Sequence, residues 1–239
     1  MRNQSGSRLT MAVLAAALVV VIAGGVATAS NMAFKMNRAW AFAGGGQIGD
    51  NWTSVPFNNP YVSQGSFCTQ VGLISAGAIG QPRATITVVN ASTGVPSTQT
   101  CGTAGANSSP LPPDGRAIRV RQPNVAGALT NGIIVGSHNP SLVVTIADAG
   151  NGTIGDFWFS VPYHTTAVTM NDLCLSSGLT STGGIGVPRA QMTRINAATG
   201  VPTSQTCGTA GAIGQNLVLG EAVRIREPNG PKSFTPAHF

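Results

Sequence analysis

The chain has 239 residues, of which 8% are charged, with 13 basic against 7 acidic side chains and a formal net charge of +6. So mild an excess lacks the basic density of a dedicated nucleic-acid binder, and no specific nucleic-acid partner is expected. Abundant Gly, Ser, Thr, Asn, Ala and Pro leave solubility to hydroxyls, amides and exposed backbone, a surface that suits an exported module better than a cytosolic enzyme.

The chain opens with Arg2 and Arg8, an apolar run from Met11 to Val26, and Ala27-Thr28-Ala29, the small-x-small pattern of a signal peptidase site. Residues 1–29 are read as a signal peptide cleaved after Ala29. The product is then extracellular, at the cell surface or periplasmic, with a net charge of +4 and no membrane association. A retained anchor is the competing reading, because the run approaches the roughly 18 apolar residues at which a span becomes feasible. Gly24, Gly25 and the Ala-x-Ala site argue for removal.

The next segment, Asn31 to Ala41, is apolar and partly alternating, and a first strand is expected at Met32 to Ala41. Such a strand either pairs with its own domain or is donated to the open edge of a neighbour, giving self-association into a linear polymer. Closure at home is favoured, because local closure costs less entropy than association. Thr53 to Phe57 reads as a short strand containing Pro56, and a short helix is expected between Ser63 and Gly72. Ala84 to Val89 is strongly β-forming, Asn90 to Pro96 is turn chemistry, and Ser97 to Cys101 and Ala117 to Arg121 add strands. Val125 to Gly136 reads as a short, partly apolar linker.

Thr93 to Ala106 and Thr199 to Ala212 are almost the same sequence, and the offset of 106 also matches Trp52 with Trp158, Cys68 with Cys174 and Cys101 with Cys207. Between 49–106 and 155–212, 32 of 58 positions are identical, which divides the exported chain into repeats at 30–136 and 137–239. Ser141 to Ala147 then matches the first strand, and Thr169-Met170-Asn171-Asp172 reads as a capping box opening a helix that ends at Gly178. Four cysteines allow three pairings. Because each repeat has its own pair at equal spacing, Cys68–Cys101 and Cys174–Cys207 are expected, each stabilising its domain by roughly 3–4 kcal/mol. Without a Cys-x-x-Cys pair, metal binding by these thiols is the weaker reading. The expected fold is all-β, with two tandem homologous small β-sandwich or open-barrel domains, each with one short disulfide-pinned helix.

The order Asn51-Trp52-Thr53-Ser54-Val55-Pro56-Phe57, a helix with its cysteine, Asn90-Ala91-Ser92-Thr93-Gly94 and Gly115-Arg116-Ala117-Ile118-Arg119-Val120 resembles repeated modules of secreted bacterial surface proteins. Those modules run Trp-x-Ser-Leu-Pro-Tyr, a strand, Asp-x-x-Thr-Gly and Pro-Gly-x-Gly-Tyr-x-x-Arg-Val. Gly136-Ser137-His138-Asn139-Pro140 resembles their Gly-Ser-His-Asp-Pro junction. The resemblance covers nearly the whole exported chain and implies a surface role without assigning an activity. This chain departs from the pattern at Asp114-Gly115-Arg116, where Gly-Tyr is missing.

No reacting group stands out. A nucleophile needs a base and an orienting group, and the bases are His138, His164 and His238. Two of these lie in a junction and a tail, and Phe57-Asn58 occupies the place of Tyr163-His164 in the first repeat. Asp50 and Asp156 are the matched acids, and Gly-Asp beside a strand reads as a turn. Asp148, Asn151 and Asp156 lack calcium-loop spacing and are faced by Phe42, Gly45 and Asp50. No enzyme activity, cofactor or metal is therefore expected.

The arginines are the better binding candidates. Alternation places Arg119 and Arg121 opposite Ile118 and Val120, and Arg224 and Arg226 opposite Val223 and Ile225, while Arg83 and Arg189 follow matched prolines. These six guanidinium groups fit the carboxylates or phosphates of a surface polysaccharide or other polyanion; a solvated strand face is the plainer reading. Trp52 and Trp158 read as core. Trp40, faced by Ile146, is unmatched and is the candidate for an exposed contact. The leading expectation is a non-enzymatic secreted or cell-surface structural or interaction protein, with carbohydrate or anionic-polymer binding as the alternative.

Overall fold

The computed structural model describes residues 33–44, 49–76, 80–112, 114–146, 156–183, 188–196, 198–229 and 231–238. The signal peptide, its cleavage site, Asp148 and Asn151 lie outside the described residues. The chain is built mostly of β-strands in several sheets, with short helices and two disulfides.

The first half runs β1 (Ala33–Ala39), β2 (Phe42–Ala43), β3 (Asp50–Thr53), α1 (Gln64–Gln70), β4 (Thr85–Val89), β5 (Pro96–Thr100), α2 (Ala104–Ser108), β6 (Ile118–Pro123) and β7 (Asn131–Ser137). The second runs β8 (Val144–Ile146), β9 (Asp156–Ser160), α3 (Met170–Ser176), β10 (Gln191–Ile195), β11 (Pro202–Thr206), α4 (Ala210–Gly214), β12 (Ala222–Arg226) and β13 (Lys232–Phe234). In the first half β5, β4, β6 and β3 form an antiparallel sheet, with β2 parallel to β6 beyond β3. The order β11, β10, β12, β9 repeats that arrangement in the second half. Each half closes with a two-stranded ribbon, β1 with β7 and β8 with β13.

Alternation does what the sequence asks of it. Ile118 and Val120 of β6 and Val223 and Ile225 of β12 are buried, while the arginines between them point outward. Each fully buried aliphatic side chain stabilises the fold by about 1.5–3 kcal/mol. The disulfides Cys68–Cys101 and Cys174–Cys207 tie α1 to the end of β5 and α3 to the end of β11. Ser63 caps α1 in a reciprocal box with Ser66, and Thr169 caps α3 in the same way with Asp172. The two backbone amides that the Asp172 carboxylate accepts from, with Thr169 the stronger influence, hold its pKa below the ordinary value.

Four expectations need correction. Each half has a second short helix, α2 or α4, capped by Thr103 or Thr209, and the hydroxyl that accepts the cap also donates to the carbonyl of Thr100 or Thr206. A helix of five residues is too short to show a period, so it was hidden inside the repeated block. The strand at the first tryptophan is 50–53 rather than 53–57, because Pro56 has no amide hydrogen and the amides of Ser54 and Val55 turn to Gly220 O and Ser160 Oγ. The second half of the segment read as a linker is strand β7, paired residue for residue with β1 within the same chain. Finally, each half has a core of its own, but the first does not keep all its apolar side chains to itself: Phe57 packs into the core of the second with Phe159, Val161 and Phe234.

Candidate functional site

The site is built where the halves meet. β3 and β9 bring Trp52 and Trp158 into a parallel stack with ring centroids 3.5 Å apart and an interplanar angle of 7°. Ala117 and Ala222 pack against the pair, flanked by Val89 and Ile195. The backbone contacts are reciprocal. Ser54 N donates to Gly220 O (3.0 Å) and Ser160 N to Gly115 O (2.8 Å), while Ser54 Oγ donates to Glu221 O (2.7 Å) and Ser160 Oγ to Arg116 O (3.0 Å). Bridges Thr53 to Glu221 and Phe159 to Arg116 extend the same relation. Matched residues exchanging matched contacts is the pattern of a two-fold interface between identical subunits, here within one chain.

The register of β3 on β6 sets Asp50 opposite Arg121. Its carboxylate accepts from Arg121 Nε at 3.0 Å and from Arg119 Nη1 at 3.5 Å. In the second half Asp156 accepts from Arg226 Nε at 2.8 Å and pairs with Arg224 at 3.5 Å. Asp50 and Asp156 are thus strand bridges rather than the turn residues expected. Being partly exposed, each pair contributes about 0–1 kcal/mol. One carboxylate against two guanidinium groups also leaves each cluster with an excess positive charge. Arg83 and Arg189 stand apart, each donating to a carbonyl, Gly102 O at 3.3 Å and Gly208 O at 3.4 Å. Both glycines have positive φ, and a Cβ on either would collide with the carbonyl of Ser75 or Ser181, which explains glycine in this turn.

Beside the tryptophan stack lies a cleft of about 290 Å³ lined by Trp52, Thr87, Gly94, Arg119, Asp156 and Trp158. Arg119 Nη2 donates to Thr87 Oγ1 at 3.1 Å, and Thr87 and Thr98 share a hydroxyl hydrogen bond of 2.8 Å. Arg224 lies 6.0 Å from the Trp158 ring centroid. Guanidinium, carboxylate and hydroxyl therefore converge on an aromatic wall, the lining that a small polar ligand requires. Trp40 does not belong to it. Its side chain is 4% exposed and packs with Val55, Ile86 and Ile134 in the first core, correcting the expectation of an exposed contact.

Two features escaped the sequence reading. An apolar groove of about 920 Å³ runs past Phe34, Phe57, Pro60, Tyr61, Leu111 and Val135. Next to it His138, His164 and His238 come together, with His138 4.1 Å from His238 and 6.4 Å from His164 between ring centroids. No spacing pattern announces a cluster drawn from a junction, a turn and a tail. Among the described residues no group of three His, Cys, Asp or Glu is arranged to hold a metal ion, and no helix is long and apolar enough to cross a membrane. No protein-family model, curated protein or solved structure matches this chain.

Proposed function

We propose that the chain is a non-enzymatic secreted or cell-surface protein with a structural or interaction role, built from two tandem homologous β-modules behind a cleaved signal peptide. The observation that carries this reading is the reciprocal joint around Trp52 and Trp158, in which the matched aromatic and hydroxyl positions join the halves. Two buried disulfides fit an oxidising compartment, and the resemblance to bacterial surface modules points the same way.

A second reading is binding of an acidic polysaccharide. It is favoured by the cleft, where Arg119 and Thr87 offer donors next to an aromatic wall, and by the excess cation on each arginine pair. Binding to a panel of glycans and polyanions at two salt concentrations separates the two. Submillimolar, salt-sensitive binding lost in both Arg119→Ala and Thr87→Val favours the second reading. Silence across the panel, with the protein recovered at the cell surface, favours the first. A hydrolase activity abolished by His164→Ala overturns both.

A further inference from the structure

We propose that residues 235–238, which follow β13, form an acid-released latch: His238 rests against His138 at neutral pH and is driven off when His138 takes up a proton.

His138 directly follows β7 and is 4% exposed, and its Nε2 has no hydrogen-bond partner. Its ring lies 6.1 Å from Phe57 and 4.1 Å from His238, measured between centroids. Phe34 extends the aromatic cage to Tyr163 at 4.2 Å and His164 at 5.6 Å. Pro236, buried in the same segment, accepts a contact from the His238 ring at its carbonyl. Three imidazoles thus share one aromatic cage.

Two imidazoles oppose protonation of His138, His238 from the segment and His164 from the turn after β9. Tyr163, beside His164, is held neutral by burial and supplies no anion, and the charged residues of β1, paired with β7, are the cations Lys35 and Arg38. β7 itself has no charged residue. The six described carboxylates are engaged elsewhere. Asp50 and Asp156 hold strand arginines, Asp114 and Glu221 hold Arg116 and Arg194, Asp172 caps α3 and Glu227 binds Thr180. An imidazolium at His138 therefore has no described counter-charge, and burial followed by repulsion from His238 and His164 lowers its pKa to about 4. Once the segment leaves, His138 meets water and its pKa returns towards the ordinary value of about 6.5. By linkage, acidification from pH 7 to 4.5 favours the released form by up to about 50-fold. Phe34, Phe57 and Ser137 wall both the cluster and the 920 Å³ groove, so release alters the rim of that groove.

The test is histidine-labelled NMR of the whole protein, read together with near-ultraviolet circular dichroism from the stacked tryptophans. The expected result is a His138–His238 ring contact at pH 7 that is lost at pH 4.5 while the tryptophan signal persists. His138→Phe, which keeps an aromatic ring at the buried position but takes up no proton, is expected to hold its contact with His238 at pH 4.5. The latch is overturned if the wild-type contact survives at pH 4.5, if it disappears only together with the tryptophan signal, or if His138→Phe releases as readily as wild type.

Discussion

Trp52 and Trp158 lie face to face, 3.5 Å apart between ring centroids, and each occupies the same place in its own repeat. The stack gives one hydrophobic contact to both halves at once. It also explains why a tryptophan recurs at the head of the repeated block: each copy supplies the surface that the other needs covered. Because one face of each ring is taken by its partner, the pair is a joint rather than a stacking platform for sugars.

Replacing either ring should therefore weaken the whole molecule. Trp52→Ala is expected to cost about 3–5 kcal/mol. The double variant with Trp158→Ala should cost less than the sum of the singles by about 0.5–1.5 kcal/mol, the extra value of an aromatic pair. Chemical denaturation of the four proteins completes the cycle, and strict additivity would mean that the stack contributes nothing beyond area.

Non-reducing peptide mapping of the protein should recover Cys68 joined to Cys101 and Cys174 to Cys207. Converting both members of one pair to Ala is expected to cost about 3 kcal/mol. Because Phe57 of the first half sits in the second core, removing either bridge should lower the melting temperature of one shared transition. Two separated transitions would argue for independent halves.

Glu227 is fully buried, and its carboxylate accepts from Thr180 N at 2.8 Å, Thr180 Oγ1 at 2.7 Å and Asn229 N at 3.0 Å. In the first half the same place is held by Gln122, also fully buried, whose amide oxygen accepts from Ile74 N at 3.1 Å. A neutral amide already performs this tie once in the chain, so Glu227→Gln should be tolerated within about 1 kcal/mol. Glu227→Ala leaves buried donors unpaired and should cost about 1–3 kcal/mol. Equal losses in the two variants would show that the tie is not a matter of hydrogen bonding.

Deleting residues 30–41 tests how far the halves depend on each other. The sequence, read as two self-contained domains, predicts that only the first unfolds. The structure places Phe34 of β1 on Tyr163, Met36 beside Gly220 and the buried Arg38 under Trp52, donating to its carbonyl at 3.4 Å. Burial lowers the pKa of Arg38, with nearby Glu221 acting in the opposite sense. Hydrogen exchange should therefore show lost protection at 160–165 and 218–223 as well as across 42–137. Loss confined to the first half would restore the independent-domain picture.

The sequence by itself determined the repeat, the disulfide pairing, the cap of α3 and the outward face of the arginine strands. The repeat and the cysteine pairing rest on self-similarity along the chain, which is read without knowing the fold. The cap and the arginine face rest on local rules, a Thr-x-x-Asp offset and a two-residue period that sorts Ile118 and Val120 from Arg119 and Arg121, which hold within a single element whatever packs around it.

Only the tertiary structure decided what those faces meet. Trp40 has no repeat partner, yet it is buried, because β7 pairs with β1 and covers it, with Trp40 N donating to Thr130 O at 2.8 Å. Asp50 looks like a turn residue until β3 is laid beside β6 and the register places its carboxylate between two guanidinium groups. His138, His164 and His238 are separated by 26 and 74 residues in the chain and meet only because β7, the turn after β9 and the segment after β13 end at the same place. Pairing across such distances depends on the packing of whole sheets and on the entropy of closing long loops. A residue pattern therefore names the surface that each strand presents, and the assembled sheets choose its neighbour.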